Sequence, residues 1–178
     1  MIDPLRTLTL LLTLASAAIA QTASYTVIGT PCTTGRLLSW VGPVPLSAQG
    51  VPRLGTTFTV VTECSASYPP GQRRTTFLWT GASNTSAGGL PLPFDIAVLA
   101  PLGSSWCGML GTSMDVMERV APQPDYTTPG LMPIAIPNLA VLAGARFFQQ
   151  VVSIERDTFG SPRLGVSLSA LGQGVIGR

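Results

Sequence analysis

Apolar and polar side chains alternate along several short segments of the chain, which is the pattern of half-buried strands. In residues 57–64, one phase carries Phe58, Val60, Thr62 and Cys64, and the other carries mostly polar side chains. Because successive side chains of a strand point to opposite faces, the first set is predicted to face the core.

A longer segment, residues 145–155, is apolar on both faces in its middle, at Phe147, Phe148, Val151 and Val152. Periodicity alone allows either a buried helix or a central strand here. The β-branched and aromatic side chains favour a strand, so we predict a strand with a neighbour on each side.

Further strands are predicted where similar side chains fill the intervals between turn residues. Residues 73–80 place Phe77 and Trp79 on one face of such a strand. Helix is expected only as a turn or two, near residues 94–99 and 138–143. The remaining predicted strands cover residues 24–28, 45–48, 107–110, 115–120, 130–136 and 166–171.

Turn-forming residues are dense, with 19 glycines and 16 prolines among 178 residues. Inside a helix, proline costs about 3 kcal/mol and glycine about 1 kcal/mol relative to alanine, so helices have little room. A set of roughly eight or nine short strands separated by turns predicts an all-β fold, an antiparallel β-sandwich of the immunoglobulin-like or jelly-roll-like kind.

The N-terminal segment has the layout of a secretory signal peptide. Arg6 gives a cationic start, residues 8–14 are largely apolar, and Ala18-Ile19-Ala20 fits the small-x-small cleavage rule. An uncleaved anchor is the competing interpretation, but the apolar run is shorter than the roughly 20 residues that a span needs. We expect a signal peptide at 1–20, a single β-sandwich domain at 21–178, no membrane span after cleavage, and a secreted or cell-surface protein.

The amino-acid composition excludes several kinds of catalytic and metal-binding chemistry. All 10 basic residues are arginine, and the chain has no histidine. These absences exclude a Walker A or Schiff-base lysine, a histidine-activated nucleophile and histidine metal ligands, so we expect no cofactor, no metal and no enzymatic activity. A net charge of +2 is too small to predict a nucleic-acid partner. The basic doublet Arg73-Arg74 is expected at a solvated loop tip after Pro69-Pro70-Gly71.

Carboxylates are the catalytic groups that remain, and a glycosidase would need two of them flanking a cleft. Asp115 and Glu118 point to opposite faces of their predicted strand, and Glu155 and Asp157 are expected at a solvated strand end. The acids also lack the spacing of a calcium-binding loop. The seven acids from residue 21 onward are Glu63, Asp95, Asp115, Glu118, Asp125, Glu155 and Asp157.

Export would permit a disulfide, and the three cysteines allow three pairings. Cys64 lies on the inward phase of its predicted strand, where a small buried thiol fits. Cys32 and Cys107 both lie at predicted strand–loop junctions, so a Cys32–Cys107 bridge is favoured, with Cys64 left as a thiol outside the bridge. A reactive cysteine is not expected, because no histidine or lysine can lower its pKa.

Several phrases resemble the small secreted β-sandwich domain, often C-terminal, of exported proteins from planctomycetes and similar bacteria. In that family a Gly-Cys near the start and a Gly-Cys after a Leu-Pro-Leu segment suggest a cysteine pair. The matching residues here are Cys32 and Cys107, although Pro31 and Trp106 replace the preceding glycines. The resemblance implies the fold and export, and no activity. The matching stretches include residues 29–32, 50–58, 83–93, 113–116, 133–138 and 148–150.

Three hypotheses on function follow. The leading one is a non-enzymatic extracellular module, structural or adhesive, with a protein partner or a second copy of the chain. The alternative is a module that binds a glycan or another extracellular ligand, which predicts an exposed aromatic platform made by Trp40, Trp79 or Trp106, although tryptophans usually pack in a core or at its rim. The third is a hydrolase that uses two carboxylates in a concave site.

Overall fold

The computed structural model describes residues 21–32, 43–68, 71–102, 104–123, 127–157 and 163–178. The predicted signal peptide, Trp40 and Asp125 lie outside these ranges. Within them, the strands are β1 (Ser24–Ile28), β2 (Leu46–Gln49), β3 (Thr57–Glu63), β4 (Ala66–Tyr68), β5 (Gln72–Gly81), β6 (Ser86–Ala87), β7 (Leu90–Pro91), β8 (Phe94–Asp95), β9 (Ser105–Cys107), β10 (Met109–Leu110), β11 (Val116–Arg119), β12 (Pro129–Ala135), β13 (Arg146–Asp157) and β14 (Arg163–Val175).

Two sheets face each other. The larger has the order β1-β14-β13-β5-β11, with β4 also pairing with β5 and β9 with β14, and the smaller has the order β12-β3-β2. Pairing between neighbours in both sheets is antiparallel except between β9 and β14. The predicted antiparallel β-sandwich is therefore confirmed.

The space between the two sheets is filled by apolar side chains from both. On β3, Phe58 and Val60 are buried together with Thr62 and Cys64, as the alternation predicted. The tilted rings of Tyr25, Phe58 and Phe147 lie with their centroids 5.7–6.4 Å apart at one side of this core. The fully or largely buried members of this core are Val44, Phe58, Val60, Leu78, Val120, Met132, Ile136, Val151 and Ile176.

The strand β13 is central, as predicted, because β14 pairs along one of its edges and β5 along the other. Its side chains alternate between two cores. Val151 packs into the core between the sheets, whereas Val152 faces a second core on the outer face of the large sheet. The apolar character on both faces of this segment follows from burial on both sides.

The second core lies under a cap formed by residues 82–102 and 104–113. Two short strand pairs, β6–β7 and β8–β10, and a 3-10 helix at Ile96–Leu99 make up much of the cap. Phe77 and Trp79 of β5 face this core together, on one face as predicted. The buried members are Ile96, Leu110, Val152 and Leu168.

The buried side-chain amide of Gln150 joins the cap to the large sheet by hydrogen bonds. The Gln150 side chain donates from Nε2 to the carbonyl oxygens of Met109 at 2.7 Å and Ser169 at 2.8 Å. Its Oε1 accepts from the Gly111 N–H at 3.0 Å. These bonds satisfy backbone groups of both the cap and β14, which would otherwise be buried without partners.

Most predicted strands occur in the structure, and their ends lie within one or two residues of the predicted ends. The predicted strand at 107–110 splits into β9 and β10 at Gly108, whose φ of 119° interrupts extended pairing. The strand β14 extends beyond the predicted 166–171 at both ends. Glycine is needed at positions 172 and 174 inside it, because a side chain there would collide with Tyr25 or Phe147. Short 3-10 helices occur at Ile96–Leu99 and Ala140–Leu142, within the two segments where a helical turn was expected.

Candidate functional site

A buried group of charges closes one end of the core between the sheets. Arg74 of β5 points inward and is 2% exposed. Its Nη1 donates to Glu63 Oε2 at 3.1 Å, and its Nε donates to the Cys64 carbonyl at 3.0 Å. Glu155 of β13 is 1% exposed and lies directly opposite Arg74 in the pairing of the two strands. A guanidinium and two carboxylates therefore share one buried location.

Hydroxyl groups extend this polar end of the core. Ser65 Oγ donates to the Val120 carbonyl at 2.9 Å and accepts from the Thr76 N–H at 3.0 Å. Thr76 Oγ1 also donates to the Cys64 carbonyl at 3.2 Å. These bonds join the segment between β3 and β4 to β5. The cluster thus holds the turn by which the chain crosses from the small sheet to the large one.

Two expectations about these charges are wrong. Arg74 was expected at a solvated loop tip and Glu155 at a solvated strand end, but both are buried. Because β5 already begins at Gln72, Arg73 and Arg74 point to opposite faces, and only Arg73 is exposed. Opposite charge on Glu63 and Glu155 offsets the cost of burying Arg74.

An open, polar cleft lies on the outer face of the large sheet. It has a volume of about 330 Å³, and Arg73 and Thr75 of β5 line it together with Arg119 and Gln123. Alternation along β5 puts Arg73 and Thr75 on the same face as Phe77 and Trp79, beyond the part that the cap covers. We call this site the arginine cleft; its remaining lining residues are Ser65, Ala66, Arg74 and Pro122.

The described lining of the arginine cleft is positively charged. Its described lining contains no carboxylate. Arg156 of β13 lies directly opposite Arg73, a pairing of like charges that disfavours the folded state. Across the described part of the chain, neither of these arginines nor Arg119 makes an ion pair. The cleft therefore presents guanidinium donors that suit an oxyanion.

The cysteines are arranged as predicted. Cys32 and Cys107 form a disulfide with a Cα–Cα distance of 5.9 Å. Cys64 is a fully buried thiol at the end of β3, and Arg74 Nη2 lies 3.9 Å from its Sγ. Solvent does not reach this sulfur, so the structure gives it a packing role within the charge cluster.

The tryptophans that the structure describes do not form an exposed platform. Trp79 and Trp106 are half-buried and pack against the core beneath the cap. Their indole Nε1 atoms are buried and find no hydrogen-bond partner among the described residues. Trp40 lies outside the described ranges. Stacking of a ligand on Trp79 or Trp106 would require the cap to move away.

The remaining described carboxylates act in local structure. Asp95 caps the first 3-10 helix, with Oδ1 accepting from the Ala97 N–H at 2.9 Å. Asp115 Oδ2 accepts from the Ala82 N–H at 2.8 Å and from Ser113 Oγ at 3.1 Å. Glu118 is exposed on the edge strand β11. In the described ranges, no three Cys, Asp or Glu side chains are grouped so that they could hold a metal ion.

A second, apolar groove opens at the side of the sandwich, between β11 and β12. It has a volume of about 270 Å³, with Val116, Ile134 and Phe147 in its walls. Gln149 also lines it; its Nε2 donates to Thr80 Oγ1 at 3.1 Å, and its Oε1 is buried without a partner in the described structure. Sequence reasoning assigned no role to Gln149 or Gln150, although two amides inside an apolar central strand are a usable signal.

Fold and sites together define an antiparallel β-sandwich with a capped face, a buried charge cluster and an open cationic cleft. Comparison of the chain with protein-family models, with curated proteins and with solved structures found no match. Among the residues described, no helix combines the length and apolar character needed to cross a bilayer.

Proposed function

We propose that this chain is an exported, non-enzymatic module of the bacterial cell envelope or exterior, with a structural or adhesive role. The observation that carries the proposal is the apolar tip of the cap. Val98, Leu99 and Leu102 are 70%, 56% and 106% exposed, within five residues of one another. Exposed apolar side chains in such proximity are typical of surfaces that contact another macromolecule.

The distribution of ionisable groups supports a role in binding. Glu63 and Glu155 are enclosed with Arg74, and a substrate in solution cannot reach them unless the sandwich opens. Asp95 and Asp115 hold backbone N–H groups of the cap. A hydrolase that uses two carboxylates needs both of them in an open site, and the described residues offer no such pair.

Export is supported by the Cys32–Cys107 disulfide, since disulfides persist mainly in oxidising compartments. The signal-like residues 1–20 point in the same direction. If the chain is exported, protein expressed in a bacterial host with these residues intact is recovered outside the cytoplasm with Gln21 at its N-terminus. Recovery from the cytoplasm with residues 1–20 still attached would contradict export.

The adhesive role is tested by placing charge on the cap tip. The double variant Leu99→Asp/Leu102→Asp should lose most co-sedimentation with envelope material of the producing cells, and most self-association measured by light scattering. Val141→Asp is the matched control, because Val141 is 85% exposed on the second 3-10 helix, outside the cap. Equal binding by both variants, or no association of the unmodified protein, would overturn the proposal.

The alternative function, binding of a glycan, is favoured by a different observation. The arginine cleft offers guanidinium, hydroxyl and amide groups on one open surface. Recognition there would rest on charge and hydrogen bonds, since Trp79 and Trp106 pack beneath the cap. A structural module and a glycan-binding module are compatible, because the cap tip and the cleft are formed by different residues.

A further inference from the structure

We infer that the arginine cleft binds an acidic polysaccharide, whose carboxylate or sulfate groups are held by Arg73 and Arg119. The inference rests on the proposed function, in that an adhesive module needs a partner, and it names the chemistry of that partner. Arg73, Arg119 and Arg156 are exposed and make no ion pair in the described structure, so their guanidinium groups are available to a ligand.

The strand pairing indicates why these arginines are suited to an anionic ligand. Arg73 and Arg156 lie directly opposite each other on neighbouring strands, which places two like charges at the distance of a cross-strand pair. Such a pair is destabilising unless an anion lies between the charges or beside them. A bound carboxylate or sulfate relieves that repulsion and forms charge-assisted hydrogen bonds with the guanidinium groups.

The spacing of the charges favours an extended ligand over a single small anion. Arg119 lies opposite Phe77, which is four residues along β5 from Arg73. At about 3.3 Å per residue, the two backbone positions are roughly 13 Å apart along the strand. A small oxyanion occupies one end of this span, whereas a polymer with repeated acidic groups contacts both ends at once.

The polar residues between the arginines suit a sugar chain. Thr75 and Gln123 line the cleft between Arg73 and Arg119 and offer a hydroxyl and an amide, which can bond to sugar hydroxyls. No aromatic side chain is in the described lining of the cleft. Single-stranded nucleic acids bind largely by stacking on aromatic side chains, so the cleft fits an acidic glycan better.

None of the carboxylates that the structure describes lines the cleft. Glu63 and Glu155 are buried on the opposite face of the sheet, around Arg74. Arg74 therefore lies with carboxylates inside the sandwich, whereas Arg73 faces outward and makes no ion pair with the residues that the structure describes. The outer group is what an external anion encounters.

The experiment is calorimetric titration of the disulfide-intact protein at about 50 mM and about 200 mM salt, two concentrations that reveal electrostatic binding. Heparin and polygalacturonate supply sulfate and carboxylate groups, dextran supplies a neutral polysaccharide, and inorganic sulfate supplies the isolated anion. We expect binding to at least one acidic polysaccharide that weakens with salt, no binding to dextran, and far weaker binding of free sulfate.

Paired variants assign the binding to the cleft. Arg73→Gln/Arg119→Gln should lower the affinity at least ~10-fold, the size expected when two charge-assisted contacts are lost. Arg53→Gln/Arg146→Gln removes the same charge from two other exposed arginines and should stay within about twofold.

Three results would overturn the inference. The first is the absence of binding to both acidic polysaccharides. The second is an equal loss of affinity in both double variants, which would indicate attraction to net charge alone. The third is equally tight, Arg73-dependent binding of single-stranded DNA, which would change the ligand class. Cap-dependent association, tested with Leu99→Asp/Leu102→Asp, is a separate measurement, so either proposal can fail without the other.

Discussion

Arg73 and Arg74 are neighbours in the chain but lie in different electrostatic environments. Arg74 is enclosed with Glu63 and Glu155, while Arg73 faces solvent across the sheet. Burial of a charge is tolerated only where partners compensate it, and removing one partner leaves the others uncompensated. The roles of the two residues are therefore not interchangeable.

This contrast gives a prediction for stability. Arg74→Leu should lower the free energy of unfolding by about 3–5 kcal/mol, because two carboxylates lose their buried counter-charge. Arg73→Gln, the matched change at the exposed position, should alter it by no more than about 0.5 kcal/mol. Urea unfolding monitored by circular dichroism measures both. Equal losses in the two variants would show that the Arg74 cluster is not a stabilising contact.

Tyr25 gives a second prediction at the scale of a single residue. Its hydroxyl is buried with no partner among the described residues, and burial raises the pKa of the phenol above its ordinary value of 10.0. As pH rises above 10.0, the unfolded chain loses this proton before the folded chain does, so stability is full below that pH and falls above it.

The variant Tyr25→Phe isolates this effect. It keeps the ring beside Phe58 and Phe147 and removes the ionisable hydroxyl. Unfolding free energies at pH 8 to 11 should fall more steeply for the unmodified protein, by up to about 1.4 kcal/mol per pH unit, the value for one proton. Parallel curves for the two proteins would contradict the assignment to Tyr25.

Among the secondary-structure elements, the longer strands were predictable and the cap was not. The strands β3, β5, β12 and β13 carry alternating or continuous apolar patterns that a sequence reveals directly. The cap strands are only two or three residues long, which is too short for a period to appear. The cap segment at Met109 and Gly111 is held by Gln150, a residue far from it in the sequence.

The same reasoning explains why Arg74 was assigned to solvent. Its partners Glu63 and Glu155 lie 11 and 81 positions away in the chain. Local composition shows a basic doublet after a turn, and only the strand pairing brings the carboxylates to Arg74. The burial of Arg74 depends on contacts between strands that are distant in the chain, and the local sequence pattern does not reveal those contacts.

The disulfide provides a prediction at the element scale. Cys32 follows β1 and Cys107 ends β9, with a sequence separation of 75 residues. In the chain-entropy model, closing a loop of this length stabilises the fold by roughly 4.5 kcal/mol. Cys32→Ser/Cys107→Ser should lower the unfolding free energy by up to that amount, and adding a reductant to this variant should have no further effect. A loss below ~1 kcal/mol would show that the bridge constrains little of the unfolded chain.

At the scale of the whole molecule, the large sheet is packed on both faces, although the cap leaves the arginine cleft open on the outer face. One face packs on the small sheet and the other on the cap, with a separate apolar core on each side. The sequence predicted the sandwich and the disulfide. It did not predict the arginine cleft, because only the pairing of β5 with β11 brings Arg73 and Arg119 to the same cleft.

The residues that stabilise the fold and the residues proposed to bind a partner lie in different parts of the molecule. Arg74 is paired with Glu63 between the sheets, whereas the groups proposed to contact a partner lie in the arginine cleft and at the tip of the cap. Binding on such a surface requires little rearrangement of the backbone. We therefore expect ligand contact to change the protection of a few outer strands and to leave the inner core as it was.

Binding of an acidic polysaccharide in the arginine cleft is tested by hydrogen–deuterium exchange of the disulfide-intact protein, with and without a heparin oligosaccharide. Added protection is expected at the start of β5, the end of β11 and the end of β13, around Arg73, Arg119 and Arg156, with unchanged exchange in the middle of β13 and in the cap. Protection centred on the cap or in the lateral groove at Gln149, or a loss of protection throughout the sandwich, would contradict binding in the cleft.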